Sequence, residues 1–193
     1  MSKPAFQKRR LLRGIILVWI VLIDLLVVTC NWTLSDEAEG ASEYDVKAAF
    51  LLNFVRFVDW SDQTRSGTGD ELFLCIAGED PFGNSLNLIR GVKVKNRTLV
   101  IKKTVDSKSL ADCDILFISS SEKERLPSIM AALKDLPILT VSEIEGFAQR
   151  GGMINFIIVG NKVHFEVNPD AAKQVGIRIS SQLLKLARIV TDE

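Results

Sequence analysis

The sequence predicts an α/β fold, in which a single three-layer domain is built on a mostly parallel sheet that ends in an antiparallel hairpin. Leu72–Ala77 and Ile115–Ile118 are unbroken apolar runs, as expected for strands that are covered on both faces. Segments with helical spacing of apolar residues separate the strands, and this alternation favours parallel, right-handed crossovers. Arg150–Val167 has the pattern of two strands joined by Gly160-Asn161, a dipeptide that tolerates the positive φ angles of a hairpin turn.

Two long helices are predicted at the ends of this domain. The first covers Ser42–Trp60, where Ser42 can act as N-cap and Asp45 completes a capping box. The last covers Ser180–Val190. The inner face of the first helix is expected to carry Val46, Ala49, Phe50, Phe54, Phe57 and Val58. Further strands are expected at Val92–Val94, Thr98–Lys102 and Ile138–Val141, and shorter helices at Ser121–Lys134, Ser142–Gln149 and Asn168–Gly176.

A glycine loop follows the first buried strand, at Gly78–Gly83, where a phosphate could bind to backbone N–H groups. Glu79 and Asp80 place two negative charges at that position, and the glycine spacing does not fit a dinucleotide or Walker motif. We therefore expect a Rossmann-like sheet without a nucleotide motif, in which Asp80 and Pro81 begin a capped turn.

Composition excludes two classes of protein. The chain has 193 residues, 47% of them hydrophobic, and a formal net charge of zero. Such a chain has enough apolar side chains to bury a core, so it is not disordered. A chain without excess positive charge is also not expected to bind nucleic acid.

The N-terminus has the layout of a secretory signal. Basic residues precede the apolar run Ile15–Val28, which contains Asp24, and a polar stretch follows. We expect residues 1–41 to be a signal peptide and polar spacer, and residues 42–193 to be the α/β domain. An uncleaved anchor is the alternative, and cleavage near Gly40 or near Cys30, with lipidation of Cys30, stays open. After processing, no direct membrane insertion is expected.

Export changes the meaning of the two cysteines that remain after cleavage at Gly40, Cys75 and Cys113. An even pair in an oxidising compartment is a disulfide candidate. The predicted winding also makes the strand of Cys75 a neighbour of the strand after Cys113, which a disulfide requires. Two buried free thiols that act as small hydrophobic side chains are the alternative.

No catalytic constellation is visible in the sequence. His164 is the single histidine and lies on a strand without a nucleophile motif nearby, and Ser119–Ser121 lacks a nucleophile elbow. One histidine and two strand-associated cysteines do not make a zinc site. We expect no enzyme activity, no metal and no cofactor, because an enzyme would need a cleft of convergent polar groups that the sequence does not assemble.

Several segments resemble the YfiR family of bacterial periplasmic proteins. In order, they are YDVKAAFLLNFVRFVDW, LCIAGEDPFG, CDILFIS, GGMINF, VHFEVN and ISSQLLKLAR. The resemblance implies a periplasmic α/β domain that is often dimeric. It also implies that Cys75 and Cys113 match a cysteine pair that forms a disulfide in that family, whereas a second pair found in some relatives is absent here.

The resemblance implies a function exerted by binding alone. The protein would bind the periplasmic part of an inner-membrane GGDEF protein and repress its diguanylate cyclase activity, which lowers cyclic di-GMP and biofilm formation. We expect a homodimer and a partner-binding surface at His164 and Glu166, whose side chains leave the face of Val163, Phe165 and Val167. Glu166→Lys is expected to relieve repression with the fold intact. The alternative function is a periplasmic small-molecule-binding sensor module that feeds a histidine kinase or another receptor.

Overall fold

Eight strands form one sheet in the computed structural model, which describes residues 42–60, 69–103 and 110–192. The strands and α-helices are, in chain order, α1 (Glu43–Phe57), β1 (Val58–Trp60), β2 (Glu71–Ala77), β3 (Lys93–Val94), β4 (Arg97–Lys103), β5 (Ile115–Ile118), α2 (Leu126–Leu133), β6 (Leu139–Ser142), β7 (Ile154–Val159), β8 (Lys162–Val167), α3 (Pro169–Gln174), β9 (Ile177–Ile179), α4 (Ser181–Leu184) and β10 (Arg188–Ile189). Short 3-10 turns occur at Gly83–Leu88, Leu110–Asp112, Ser120–Arg125 and Ala148–Arg150.

The sheet order is β10-β8-β7-β6-β5-β2-β4-β3. Neighbours from β4 through β2, β5 and β6 to β7 are parallel, whereas β7 and β8 form an antiparallel hairpin. A separate two-stranded ribbon joins β1 to β9. The predicted fold class, a mostly parallel α/β sheet that ends in a hairpin, is confirmed.

Apolar side chains cover both faces of the sheet and make three layers. On one face, α1 packs Leu51 and Phe54 in a cluster that includes Phe117 and Phe156. On the other face, α2 contributes Leu126, Ile129 and Leu133 to a second cluster. Because both faces of the sheet are buried, β5 is apolar at every position, as its sequence predicted.

Cys75 and Cys113 form a disulfide in the structure, with the two sulfur atoms 2.01 Å apart. Cys75 lies in β2, and Cys113 lies two residues before the parallel neighbour β5. Both residues belong to the apolar cluster on the α2 face, so the bond is shielded from solvent. The disulfide therefore joins the two segments that the predicted order of strands made neighbours.

The first helix is shorter than predicted. Residues 58–60 leave the helix as β1, because each pairs with a residue of β9 and the backbone hydrogen bonds of a strand replace those of the helix. The predicted helix at Ser142–Gln149 is also wrong. Ser142 ends β6, where its Oγ donates to the carbonyl of Ile118 over 2.8 Å and accepts from the N–H of Ile144 over 3.1 Å.

The predicted last helix at Ser180–Val190 is wrong in its second half. The helix ends at Leu184, and β10 then runs parallel to β8, with Arg188 opposite Glu166. The N–H of Val190 donates to the carbonyl of Val167 over 2.9 Å. This pairing satisfies backbone groups on the outer edge of β8, which a continued helix would leave without partners.

Gly152 lies where the backbone passes close to a buried aromatic ring. A Cβ atom at this position would lie 2.2 Å from Cε1 of the buried Phe147 ring. Only glycine therefore lets the start of β7 approach the preceding turn this closely.

The hairpin turn is confirmed, with φ of 54° at Gly160 and 62° at Asn161. The capping box of Ser42 and Asp45 is also present. Within the described ranges, none of the helices combines the length and the apolar character that crossing a membrane requires. The predicted signal peptide and spacer at residues 1–41 lie outside the described residues.

Candidate functional site

A cleft of about 760 Å³ opens beside the carboxyl ends of β5 and β6. Ligands bind at this edge of the sheet in open parallel α/β folds. Its walls come from α1 (Glu43, Lys47), from the segments that follow β5 and β6 (Ser120, Glu143, Glu145, Gln149, Arg150), and from the hairpin and β10 (Asn155–Ile158, Glu166, Arg188). The convergent polar groups that the sequence did not assemble are thus brought together by the fold.

Lys47 is the buried cation of this cleft, with only 3% of its surface exposed. Its Nζ lies 2.6 Å from Oε2 of Glu143 and 2.5 Å from Oε1 of Glu43. The same nitrogen lies 4.6 Å from the centre of the Tyr44 ring, within reach of a cation–π contact. Ser120 Oγ donates to Oε1 of Glu143 over 3.4 Å. Glu143 therefore links α1 to the ends of both β5 and β6.

The carboxylates of Glu43 and Glu143 keep the amino group of Lys47 protonated. Burial is the largest influence on Lys47 and lowers its pKa, but the hydrogen bonds to Glu143 and Glu43, together with the negative charge of Glu143, outweigh burial, so that the pKa of Lys47 is raised. Burial and the neighbouring charge of Glu143 raise the pKa of Tyr44. Lys47 is thus a charged cross-link at neutral pH, and the geometry does not make it a base.

We predict that Lys47→Met lowers the free energy of unfolding by about 2 kcal/mol. That figure lies between those for exposed and for fully buried ion pairs, because Glu143 keeps 11% of its side chain exposed. Urea unfolding at neutral pH measures the change. Lys95→Met is the matched control: Lys95 pairs with Asp59 at the surface, and its loss should cost less than about 1 kcal/mol. Equal losses in the two variants would contradict the role assigned to Lys47.

Glu166 lies at the other end of the cleft and is 1% exposed. Its Oε1 forms an ion pair with Nη2 of Arg188, whose side chain is 64% exposed. Gln149 Nε2 donates to Oε2 of Glu166 over 3.3 Å. The buried carboxylate therefore fixes an exposed guanidinium at the mouth of the cleft.

The Asn155 amide lies between this carboxylate and the end of β6. In one orientation Nδ2 donates to Glu166 Oε2 over 3.4 Å. In the opposite orientation it donates to the carbonyls of Ile144 and Ser142 over 3.0 and 3.1 Å. The second orientation gives shorter and more numerous hydrogen bonds. We therefore assign the Asn155 amide to the carbonyls at the end of β6, where it joins the hairpin to that strand, and not to Glu166.

The two residues predicted to form a partner-binding surface are therefore in different environments. His164 is exposed on β8, as a surface contact requires. Glu166 is buried, because β10 pairs alongside β8 and places Arg188 opposite it. Because of this burial, we now expect Glu166→Lys to destabilise the fold, in contrast to the expectation from the sequence.

The hairpin also extends beyond the sheet. The pairing of β7 with β6 ends at Asn155, whereas β7 continues to Val159. Ile158 and Val159 at its end are 51% and 53% exposed. This apolar tip and the cleft beside it are the candidate binding surface.

The sequence did not indicate Lys47, Glu143 or Arg188 as site residues. The helical pattern placed Ala49 on the inner face of α1, but the structure exposes Ala49 and buries Lys47. A lysine flanked by apolar residues and preceded by Glu43 at i−4 was the available signal. Among the described residues, no cluster of three or more histidine, cysteine or acidic side chains could hold a metal ion.

A model of the YfiR/HmsC-like family matches residues 44–188 of the chain. This stretch includes every residue of the cleft except Glu43.

Two solved structures are similar to part of this chain. One is the ABC domain from Streptococcus pneumonia in complex with L-Trp, with a TM-score of 0.49, 9% identity and 74% of this chain covered. The other is a conserved domain protein from Vibrio cholerae, with a TM-score of 0.48, 11% identity and 77% of this chain covered. The chain spans 60% of the length of each.

Proposed function

The chain belongs to the YfiR/HmsC-like family, and on that basis we propose that it is a periplasmic regulatory protein that represses an inner-membrane diguanylate cyclase. It would do so by binding the periplasmic domain of the cyclase. Repression lowers cyclic di-GMP and biofilm formation. The observation that carries this proposal is the family match over residues 44–188, which covers nearly the whole described domain.

The cleft supports a mechanism based on binding rather than on turnover. Five of its charged groups are engaged with one another: Lys47 with Glu43 and Glu143, and Arg188 with Glu166. Binding of this kind represses an enzyme only if the inactive state of the enzyme is bound more tightly than the active state. The chain would therefore act as a ligand that shifts the population of its partner.

We assign direct contact to His164 and to the guanidinium of Arg188, and an indirect role to Glu166, which positions Arg188. The buried disulfide supports a periplasmic location, because disulfides persist in oxidising compartments. Assembly as a homodimer is part of the proposal.

Deletion of the chain combined with co-purification from membranes tests this function. We expect cyclic di-GMP to rise in the deletion strain and a membrane protein with a GGDEF domain to co-purify with the tagged chain. A deletion that leaves cyclic di-GMP unchanged would contradict the proposal.

A second candidate function follows from the volume of the cleft. About 760 Å³ lies within the range of small-molecule sites, which favours a sensor module that passes a ligand signal to a histidine kinase or another receptor. Co-purification distinguishes the two functions, because the partner would then carry a kinase domain in place of a GGDEF domain.

A further inference from the structure

The free edge of β7 exposes main-chain hydrogen-bonding groups to the cleft. The two-residue turn makes Val159 and Lys162 a hydrogen-bonded pair across the hairpin, so the next pair, Ile158 and Val163, is a non-hydrogen-bonded one. The N–H and C=O of Ile158 therefore point away from β8, towards the side where β6 has ended. In the described ranges, no strand pairs with β7 on that side beyond Asn155.

The free edge of β7 differs in composition from the edge strand β3 at one end of the sheet. The edge strand β3 carries Lys93 and is followed by Lys95, and charged side chains of this kind prevent pairing with another chain. Ile158 and Val159 give the β7 edge apolar, half-exposed side chains instead. An edge of this composition is suited to pairing with another strand.

The surroundings of the edge indicate the chemistry of the strand that would pair with it. Ile158 lines both the cleft and a smaller groove, in which Val46, Phe50 and Val163 lie beside Glu43, Asn161 and Lys162. Of the acidic side chains in the cleft, Glu43 and Glu143 share Lys47, and Glu166 pairs with Arg188. Glu145 is exposed and forms no ion pair among the described residues, because Arg150 beside it donates to main-chain carbonyls. A strand that enters here would present apolar side chains to the groove and a basic side chain to Glu145.

We propose that an extended segment of the cyclase's periplasmic domain pairs with the free edge of β7 and adds a strand to the sheet. The segment carries alternating apolar residues and one lysine or arginine that faces Glu145. This inference rests on the proposed function and specifies how the partner is bound.

Two variants at one position test the main-chain contact. Ile158→Ala removes side-chain contact and keeps the N–H, whereas Ile158→Pro also removes the N–H, which the ladder to β8 does not use. Binding to the isolated periplasmic domain of the co-purified GGDEF protein is measured by calorimetry. We expect Ile158→Pro to weaken binding about tenfold more than Ile158→Ala, the effect of losing about one main-chain hydrogen bond.

Hydrogen exchange on the unmodified protein gives a measurement that does not depend on the folding of a variant. The amide of Ile158 should exchange at least about tenfold more slowly in the complex, because it then donates to the added strand. Glu145→Lys should weaken binding, whereas Glu124→Lys, an exposed position outside the cleft, should not.

The outcomes separate the two proposals. If the unmodified chain does not bind the GGDEF periplasmic domain, the proposed function fails and the edge inference fails with it. If it binds, but the Ile158 amide is unprotected and the proline and alanine variants bind equally, only the edge inference is overturned. Protection of Ile158 in the chain alone, together with a doubled mass, would assign the edge to a second copy and also overturn it.

Discussion

Glu166→Lys is expected to lower the free energy of unfolding by about 4 kcal/mol, in the range for breaking a buried ion pair. The carboxylate is 1% exposed and faces the guanidinium of Arg188. A lysine would bury a second cation beside Arg188 without a described carboxylate to neutralise it. Loss of repression by this variant would then report loss of folded protein rather than loss of a contact residue.

Chemical unfolding in urea, followed by circular dichroism, measures this change. His164→Lys is the matched control, because His164 lies two residues earlier on the same strand and is exposed. We expect the control to change the free energy of unfolding by less than about 0.5 kcal/mol. A Glu166→Lys protein as stable as the control would contradict the burial of Glu166.

Removing the disulfide is expected to cost about 4 kcal/mol. Cys75 and Cys113 are separated by 38 residues, and in the chain-entropy model the cross-link lowers the entropy of an unfolded loop of that length. Among the described residues, no second disulfide would constrain the unfolded chain in its place. Stability should therefore depend strongly on redox conditions.

The variant Cys75→Ala/Cys113→Ala and the reduced unmodified protein should both show this loss. Urea unfolding with and without reductant measures it, and reductant should leave the variant unchanged. Equal unfolding midpoints for the oxidised and reduced unmodified protein would mean that the bond does not constrain the chain.

Local sequence patterns predicted the buried centre of the sheet and the hairpin well. Strands β2 and β5 are apolar at nearly every position, and Gly160-Asn161 encodes its turn directly, so neither feature depends on distant residues. The errors arose where pairing with a distant segment replaced local preference. The end of the first helix became β1 because of β9, and the end of the last helix became β10 because of β8.

The cleft could not be predicted either, because it also depends on contacts between segments that are distant in the sequence. Lys47 and Glu143 are 96 residues apart in the chain, and no local pattern relates them. Glu166 follows the alternation of a half-exposed strand, so the sequence placed it at the surface. Its burial depends on β10, whose own pairing the sequence did not reveal.

Repression of a cyclase by binding alone is the main function that we propose for this domain. Membrane vesicles that contain the co-purified GGDEF protein, with its periplasmic domain outside and GTP enclosed with its cyclase domain, allow a direct measurement. The rate of cyclic di-GMP formation is recorded as purified residues 42–193 are added. We expect the rate to fall to a plateau as the binding site saturates. A rate that does not change, although binding to the vesicles is detected, would contradict it.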